Sequence, residues 1–257
     1  MIFLSDLDGT LMNSKGEITI EDVEAIRRWT QKHAFGFVTG RDKAFCDKLA
    51  QKYQLTCDCM ITDNGANAFY KQENVYSSLI DLDDGMQMCK KILYSKVDVF
   101  YTDEKGNRYY PIQAYGVDRL HVFEKKQPSL GTFSNIDILE YLKNRTVGLA
   151  KISMYVEADL ELLLDHFKRL FKDYEVMATS RDYIEITRKD TNKWEAFCHL
   201  PIDDAIFIGD GENDLCILKN LKDTYVMNHA PDIVKAYGVG VMSVAQAINI
   251  ESRKEHV

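Results

Sequence analysis

The stretch that decides the fold is Ile2-Phe3-Leu4-Ser5-Asp6-Leu7-Asp8-Gly9-Thr10. Its first four residues form a mostly apolar run that is too short for a helix, and the chain then continues into two carboxylates and a glycine. This pattern predicts a buried strand that leads into a loop. Asp and Gly are also common turn residues for backbone reasons. Taken alone, the stretch therefore leaves a structural and a chemical role of Asp6 and Asp8 equally open.

Predicted strands and helices alternate along the next part of the chain. Apolar periodicity predicts helices over Glu21–Lys32 and Asp42–Tyr53. Short apolar runs predict strands that end in polar signals, namely Ala34–Val38 before Thr39-Gly40-Arg41 and Cys59–Thr62 before Asp63-Asn64-Gly65. Strands that alternate with helices over short links indicate right-handed parallel crossovers in a doubly wound α/β sheet.

The pattern changes between Leu82 and Arg188. Longer alternating runs predict strands at Val97–Thr102, Arg108–Ile112, Lys151–Glu157 and Tyr183–Thr187, and two amphipathic helices are predicted at Asp84–Tyr94 and Asp159–Phe171. This combination favours an antiparallel sheet with helices on one face. The segment Gln113–Asn135 is irregular and has no assignable pattern.

The alternation of short strands and helices that is typical of a parallel sheet resumes after Asp190. The predicted elements are helices at Thr191–His199, Glu212–Asn220 and Ser243–Ile250 and strands at Ala205–Ile208 and Thr224–Met227. We therefore expect a core domain in two parts, residues 1–81 and 190–257, interrupted by an α+β cap domain at 82–189. Hinges are expected near Asp81–Asp83 and Arg188–Thr191, so that the cap can open and close over the core.

Charge and hydropathy exclude several classes of protein. The 32 Lys and Arg residues are outnumbered by 40 Asp and Glu residues, which argues against a nucleic-acid or anionic-membrane binder. No apolar run approaches the roughly 18 residues of a membrane span, and the N-terminus has no cationic leader of a signal peptide. The cysteines lack paired spacing, apart from Cys57-Asp58-Cys59, which no second pair supports as a zinc site. We expect reduced thiols and a cytoplasmic protein.

Polar signals follow four of the predicted parallel strands. They are Asp6-Leu7-Asp8-Gly9-Thr10, Thr39-Gly40-Arg41, Asn64-Gly65 and Gly209-Asp210-Gly211-Glu212-Asn213-Asp214. Ligands of such sheets bind beyond the carboxyl ends of the strands, so these signals are expected to converge. A carboxylate can attack phosphorus to form an aspartyl-phosphate. A further carboxylate from another strand would complete an oxygen-rich site suited to Mg²⁺.

This set of motifs resembles the haloacid dehalogenase (HAD) superfamily, and in particular its Cof-type phosphatases with a large α/β cap of the C2 type. The resemblance covers essentially the whole chain. The first motif is matched by Asp6-Leu7-Asp8-Gly9-Thr10, the second by Thr39-Gly40-Arg41, the third by Lys193, and the fourth by Gly209-Asp210-Gly211-Glu212-Asn213-Asp214.

The resemblance implies a role for each matching residue. Asp6 would be the nucleophile, and Asp8 would protonate the leaving oxygen and then activate water. Mg²⁺ would be held by Asp6, by the backbone carbonyl of Asp8 and by Asp210. Phosphoryl oxygens would be bound by Thr39, Gly40, Lys193 and Asn213, and Asp214 would be accessory, orienting Lys193 or metal-bound water.

The chain departs from the family at two places. Trp194 stands where glycine usually follows the motif lysine, and a large side chain there could crowd the phosphate site. Asn228-His229 replaces the usual Gly-Asn pair, and a loop histidine is the commoner interpretation of His229. Arg41 and Arg181 could reach a substrate, although surface arginines are the commoner explanation.

The leading hypothesis is a Mg²⁺-dependent phosphatase that hydrolyses a small phosphorylated metabolite through an aspartyl-phosphate. A sugar phosphate is favoured, while pyridoxal phosphate and flavin mononucleotide remain open. A phosphosugar mutase and a non-catalytic phosphometabolite-binding regulator are the alternatives. The protein is expected to act as a monomer or weak homodimer.

Overall fold

The computed structural model describes residues 1–92, 98–105, 108–111, 134–156, 159–180 and 183–254. Within these residues the chain divides into two compact units. The first comprises Met1–Arg41, Cys46–Tyr76 and Asn192–Val257, and the second comprises Asp42–Phe45 and Ser77–Thr191. Arg181 and all but the last two residues of the segment 113–135 lie outside the described part. The domain boundaries expected after residues 81 and 189 stay predictions.

The first unit is built on an eight-stranded sheet. Its strands are β1 (Ile2–Ser5), β2 (Ala34–Val38), β3 (Cys59–Thr62), β4 (Asn67–Tyr70), β5 (Glu73–Ser77), β12 (Ala205–Gly209), β13 (Asp223–Met227) and β14 (Val239–Val241). Their order in space is β14-β13-β12-β1-β2-β3-β4-β5. The pairs from β14 to β3 are parallel, and β4 is antiparallel to β3.

Helices cover both faces of this sheet. In chain order the α-helices of the described residues are α1 (Ile20–Trp29), α2 (Lys43–Tyr53), α3 (Leu82–Ile92), α4 (Ile138–Lys143), α5 (Leu160–Leu170), α6 (Lys193–Cys198), α7 (Leu215–Leu218), α8 (Asp232–Lys235) and α9 (Val244–Lys254). Phe3 contacts Trp29 of α1 edge-on, with 5.9 Å between ring centroids. Its neighbour Leu4 must point to the opposite face and belongs to a buried cluster with Phe197 of α6 and Ile217 of α7. A doubly wound sheet results.

The second unit contains a six-stranded sheet with the order β10-β11-β9-β6-β7-β8. Its strands are β6 (Asp98–Asp103), β7 (Arg108–Pro111), β8 (Ser134–Ile136), β9 (Leu149–Tyr155), β10 (Tyr174–Ser180) and β11 (Tyr183–Arg188). The pairs are antiparallel except β7 with β8. Alternate residues of the sheet, such as Ile152 and Ile186, form an apolar core with residues of α3, α4 and α5. The predicted fold class, a doubly wound α/β core with an inserted α+β unit, is confirmed.

Several elements differ from the expectation. The sequence pattern missed β4 and β5, whose connecting turn places Lys71 and Gln72 at positive φ without a glycine. The helix expected over Glu212–Asn220 is instead a 3₁₀ turn, Glu212–Asp214, followed by the short α7. The last helix continues to Lys254 because Glu251 is still on its buried face.

Candidate active site

A buried lysine joins two loops at the carboxyl ends of the core strands. Lys193 is the first residue of α6, which Asn192 caps by accepting a 2.9 Å hydrogen bond from the N–H of Glu195. The Lys193 Nζ donates to Asp6 Oδ1 at 2.8 Å and to Asp214 Oδ1 at 2.6 Å. Lys193, Asp6 and Asp214 are all buried. The structure therefore brings together the ends of β1 and β12 and the start of α6 through one ammonium group.

The loop after β12 is held in place by its own carboxylates. Asp214 Oδ2 accepts hydrogen bonds from the backbone N–H groups of Asp210 and Gly211, both at 3.0 Å. Thr10 Oγ1 donates to Asp210 Oδ1 at 2.6 Å, which ties this loop to the loop after β1. Asp214 thus fixes both Lys193 and the backbone around Asp210, and its described hydrogen bonds use both of its carboxylate oxygens.

The site carries more negative charge than Lys193 neutralises. Burial raises the pKa of Asp6 from 3.8 to about 8, against the opposing effect of Lys193, and the Asp214 charge adds to the rise. The pKa of Asp210 is also raised, mainly by burial. For Lys193, burial acts to lower the pKa, but the carboxylates of Asp214 and Asp6 outweigh it and the pKa is raised. Opposite charges stabilise the ammonium, and Asp6, Asp210 and Asp214 together place three carboxylates around it.

The donor set fits a hard divalent cation. Asp6, Asp210 and Asp214 can each place one oxygen within 4.8 Å of the others. Oxygen ligands of this kind suit Mg²⁺, which is commonly bound through one or two carboxylates together with water and substrate phosphate. Because the hydrogen bonds of Asp214 are directed at Lys193 and the backbone, Asp6 and Asp210 are the better candidates to hold the ion.

The carboxylate of Asp8 lies outside this acidic group. It forms a bidentate pair with Arg41, whose Nε donates to Oδ2 at 2.8 Å and whose other nitrogen donates to Oδ1 at 2.6 Å. The Asp8 side chain is half exposed. Arg41, interpreted from sequence as a surface arginine, therefore orients the second acid of the first motif. Asp8 lies in the loop after β1 and Arg41 in the loop after β2. The pair can therefore be recognised only when the order of the strands in the sheet is known.

The second motif contacts the loop after β3. Asn64 donates its backbone N–H to the carbonyl of Thr39 at 3.1 Å, and its side-chain oxygen accepts from Asn213 Nδ2 at 3.3 Å. Thr39 Oγ1 accepts from the N–H of Arg41 at 3.1 Å. Thr39 and Asn213, two of the predicted phosphate-binding residues, thus both contact Asn64, which sequence reasoning treated only as part of a loop.

The two departures from the family pattern have visible outcomes. Trp194 stacks on Phe197 with 5.3 Å between ring centroids and packs against the core cluster, while Lys193 still reaches Asp6. His229, to which the sequence assigned no role, places its Nε2 3.5 Å from Asp210 Oδ2. Its position beside Asp210 depends on the pairing of β13 with β12, which residue spacing does not show.

A family model described as haloacid dehalogenase-like hydrolase matches residues 3–245. The chain therefore belongs to the haloacid dehalogenase-like hydrolase family, which confirms the resemblance seen in its motifs. No curated protein sequence matches the chain significantly.

Solved structures show the same fold over nearly the whole chain. TM0651 from Thermotoga maritima matches with a TM-score of 0.81 at 21% identity, covering 100% of this chain and 97% of that one. A haloacid dehalogenase-like hydrolase from B. subtilis matches with a TM-score of 0.74 at 17% identity, covering 96% and 98%. The HAD subclass IIB sugar phosphatase BT4131 matches with a TM-score of 0.73 at 21% identity, covering 99% and 98%. At these identities the likeness is one of fold.

Proposed function

We propose that this hydrolase is a Mg²⁺-dependent phosphatase that cleaves a small phosphorylated metabolite, with a sugar phosphate as the first candidate. The observation that carries the proposal is the contact of Lys193 with both Asp6 and Asp214 beside Asp210. A buried lysine among several carboxylates forms a site suited to one cation and one phosphate group. The sugar phosphatase among the structures of similar fold agrees with this substrate class.

In the proposed reaction Asp6 is the nucleophile. One of its carboxylate oxygens bonds to phosphorus while the bond from phosphorus to the leaving oxygen breaks, and Asp8 gives its proton to that leaving oxygen. Asp8 then takes a proton from water as the water oxygen attacks the aspartyl-phosphate, which releases inorganic phosphate and restores Asp6. In the cation-free site the bidentate contact with Arg41 holds the ionised Asp8 carboxylate in one orientation. This ion pair has to open for Asp8 to carry the proton that it gives to the leaving oxygen.

Phosphoryl transfer depends on electrostatic stabilisation of the transferring group. We assign this task to Lys193, Thr39, the N–H of Gly40 and Asn213, with Asp214 orienting Lys193. Bound Mg²⁺, held by Asp6, Asp210 and the backbone carbonyl of Asp8, would neutralise charge that Lys193 alone leaves uncompensated.

The test is a panel of phosphorylated metabolites assayed for released phosphate with Mg²⁺ and with a chelator. We expect turnover only with the cation, and we expect Asp6→Asn to lower kcat by at least about 10³-fold, as for other covalent nucleophiles. Formation of an isomeric phosphosugar without free phosphate would identify a mutase instead. No turnover by the parent with Mg²⁺, or full activity of Asp6→Asn, would refute the nucleophile assignment.

The remaining predictions concern the surroundings of the protein. A cytoplasmic location and a monomer or weak homodimer stay predictions. Among the residues that the structure describes, none of the helices has the length and apolar character needed to cross a membrane.

A further inference from the structure

The loop after β3 has an unusual backbone. Asp63, Asn64 and Gly65 follow one another at φ values of 54°, 57° and 97°. Residues other than glycine rarely adopt this left-handed backbone conformation, and asparagine tolerates it better than most. Asn64 is nevertheless buried, with 8% of its surface exposed. Strained backbone in a buried loop commonly marks a position where the surrounding structure requires one particular geometry.

This loop contacts each of the three chain segments that hold the proposed phosphate-binding groups. Asn64 binds the Thr39 carbonyl through its N–H and Asn213 through its side-chain oxygen. A Cβ on Gly40 would lie 2.9 Å from the Asn64 side-chain oxygen, so the amide packs directly against that backbone. A Cβ on Gly65 would overlap the Asn192 carbonyl and lie 2.8 Å from the Lys193 nitrogen.

We propose that Asn64 is a positioning residue for the phosphate site, in a role that rests on the proposed phosphatase function. Its amide oxygen accepts one hydrogen bond from Asn213 Nδ2 and packs against Gly40, and in the proposal this contact holds the second Nδ2 hydrogen of Asn213 and the N–H of Gly40 in place for one phosphoryl group. The left-handed backbone places this amide between the two loops. Asn64 acts through Gly40 and Asn213 and need not contact the substrate itself.

The main test compares two replacements of left-handed residues by glycine. Asn64→Gly keeps the backbone conformation and removes only the amide. Gln54→Gly is the matched control, because Gln54 has a φ of 49° and is exposed at the end of α2. We expect Asn64→Gly to lower kcat/KM by about 10- to 100-fold, the usual loss when reacting groups are misplaced by about 1 Å. Gln54→Gly should keep the kinetics of the parent.

Two further measurements separate positioning from general stability. Isothermal titration calorimetry with inorganic phosphate, at saturating Mg²⁺, should show at least about tenfold weaker binding to Asn64→Gly, while its affinity for Mg²⁺ stays within about twofold of the parent. In a double-mutant cycle, adding Asn213→Ala to Asn64→Gly should cost much less than Asn213→Ala costs alone, since both changes remove one contact.

Additive effects of the two substitutions, or parental phosphate affinity and kinetics in Asn64→Gly, would overturn the proposal. If Asn64→Gly fails to fold, Asn64→Ala takes its place, because it also removes the side-chain oxygen that Asn213 contacts, and unchanged phosphate affinity in that variant is equally contrary. Calorimetry also separates the two hypotheses. A parent that binds phosphate but turns over no substrate refutes the proposed function and leaves Asn64 testable, whereas a parent that binds no phosphate refutes both.

Discussion

Two buried lysines, one in each unit, have different charged surroundings. Lys193 donates to Asp6 at 2.8 Å and to Asp214 at 2.6 Å, so one ammonium serves two carboxylates. Lys151 of β9 donates to Glu185 of β11 at 2.9 Å, and Ser153 donates to the same Glu185 oxygen at 3.2 Å. Around Lys193 the carboxylates outnumber the ammonium, whereas the contacts described for Lys151 join one ammonium to one carboxylate.

This difference distinguishes a candidate functional site, around Lys193, from a structural ion pair, that of Lys151 and Glu185. A balanced ion pair supported by a hydroxyl can remain buried without any ligand, although it contributes little net stability compared with apolar packing. Burial, with a smaller contribution from the neighbouring carboxylates, raises the pKa of Asp6 and Asp210, and such a group of buried carboxylates is costly unless a cation or proton joins them. We therefore expect loss of Lys193 to affect chemistry and loss of Lys151 to affect folding.

The largest effect is expected from Lys193→Met. The variant removes the cation that contacts the proposed nucleophile and leaves Asp6 and Asp214 buried beside each other, so kcat should fall by about 10³-fold, as when a main stabilising group of the transition state is lost. Phosphate release under saturating Mg²⁺ and substrate measures it, with circular dichroism as the folding control. A well-folded Lys193→Met protein that retains parental kcat would contradict the assignment.

The next effect concerns Lys151→Met, which removes the ammonium that donates to the buried Glu185 carboxylate at 2.9 Å. Breaking such a pair costs about 3–5 kcal/mol, and the free energy of unfolding measured in urea should fall by that amount. The double variant Lys151→Met/Glu185→Gln should recover part of the loss, because it also removes the buried carboxylate charge that Lys151 faced. The kcat of the folded protein should change by less than about tenfold. A kcat loss as large as that of Lys193→Met would remove the distinction between the two lysines.

The sequence was sufficient to predict those parts of the fold and candidate site that depend on local pattern. Short apolar runs ending in Asp or Gly predicted β1 and β12. The order of the family motifs predicted that Lys193 would lie near Asp6, although the two residues are 187 positions apart. It missed β4 and β5, because Lys71 and Gln72 make their turn without the usual glycine or asparagine. The contacts of Arg41 with Asp8 and of His229 with Asp210 depend on which strands are neighbours, and no periodicity contains that information.

A smaller effect should appear in the pH dependence of stability. In the unfolded chain the Asp6 carboxyl has its ordinary pKa of 3.8, and in the cation-free fold burial raises the pKa to about 8. Between these values the folded protein binds a proton that the unfolded chain does not, so the free energy of unfolding falls as the pH rises from about 4 to about 8. We expect this contribution to be on the order of a few kcal/mol over the whole window.

Urea unfolding at several pH values in a chelator measures this slope. Asp6→Asn should be nearly free of the contribution, since an amide does not titrate, and it should gain stability relative to the parent as the pH rises. Saturating Mg²⁺ should flatten the slope of the parent. Identical pH slopes of parent and Asp6→Asn would show that Asp6 is not the group whose ionisation opposes folding.

The smallest effect is expected where a lysine pairs with a carboxylate on the exposed surface of a helix. Lys143 lies 3.5 Å from Glu140 on α4, and the two side chains are 60% and 62% exposed. Solvent screens such pairs, so Lys143→Ala should change the free energy of unfolding by less than about 0.5 kcal/mol and leave kcat unchanged. Urea unfolding beside Lys151→Met provides the comparison. If Lys143→Ala lowered the free energy of unfolding as much as Lys151→Met, burial would not explain which ion pairs stabilise this protein. The contrast between Lys151 and Lys193 would then depend only on the number of carboxylates around each lysine.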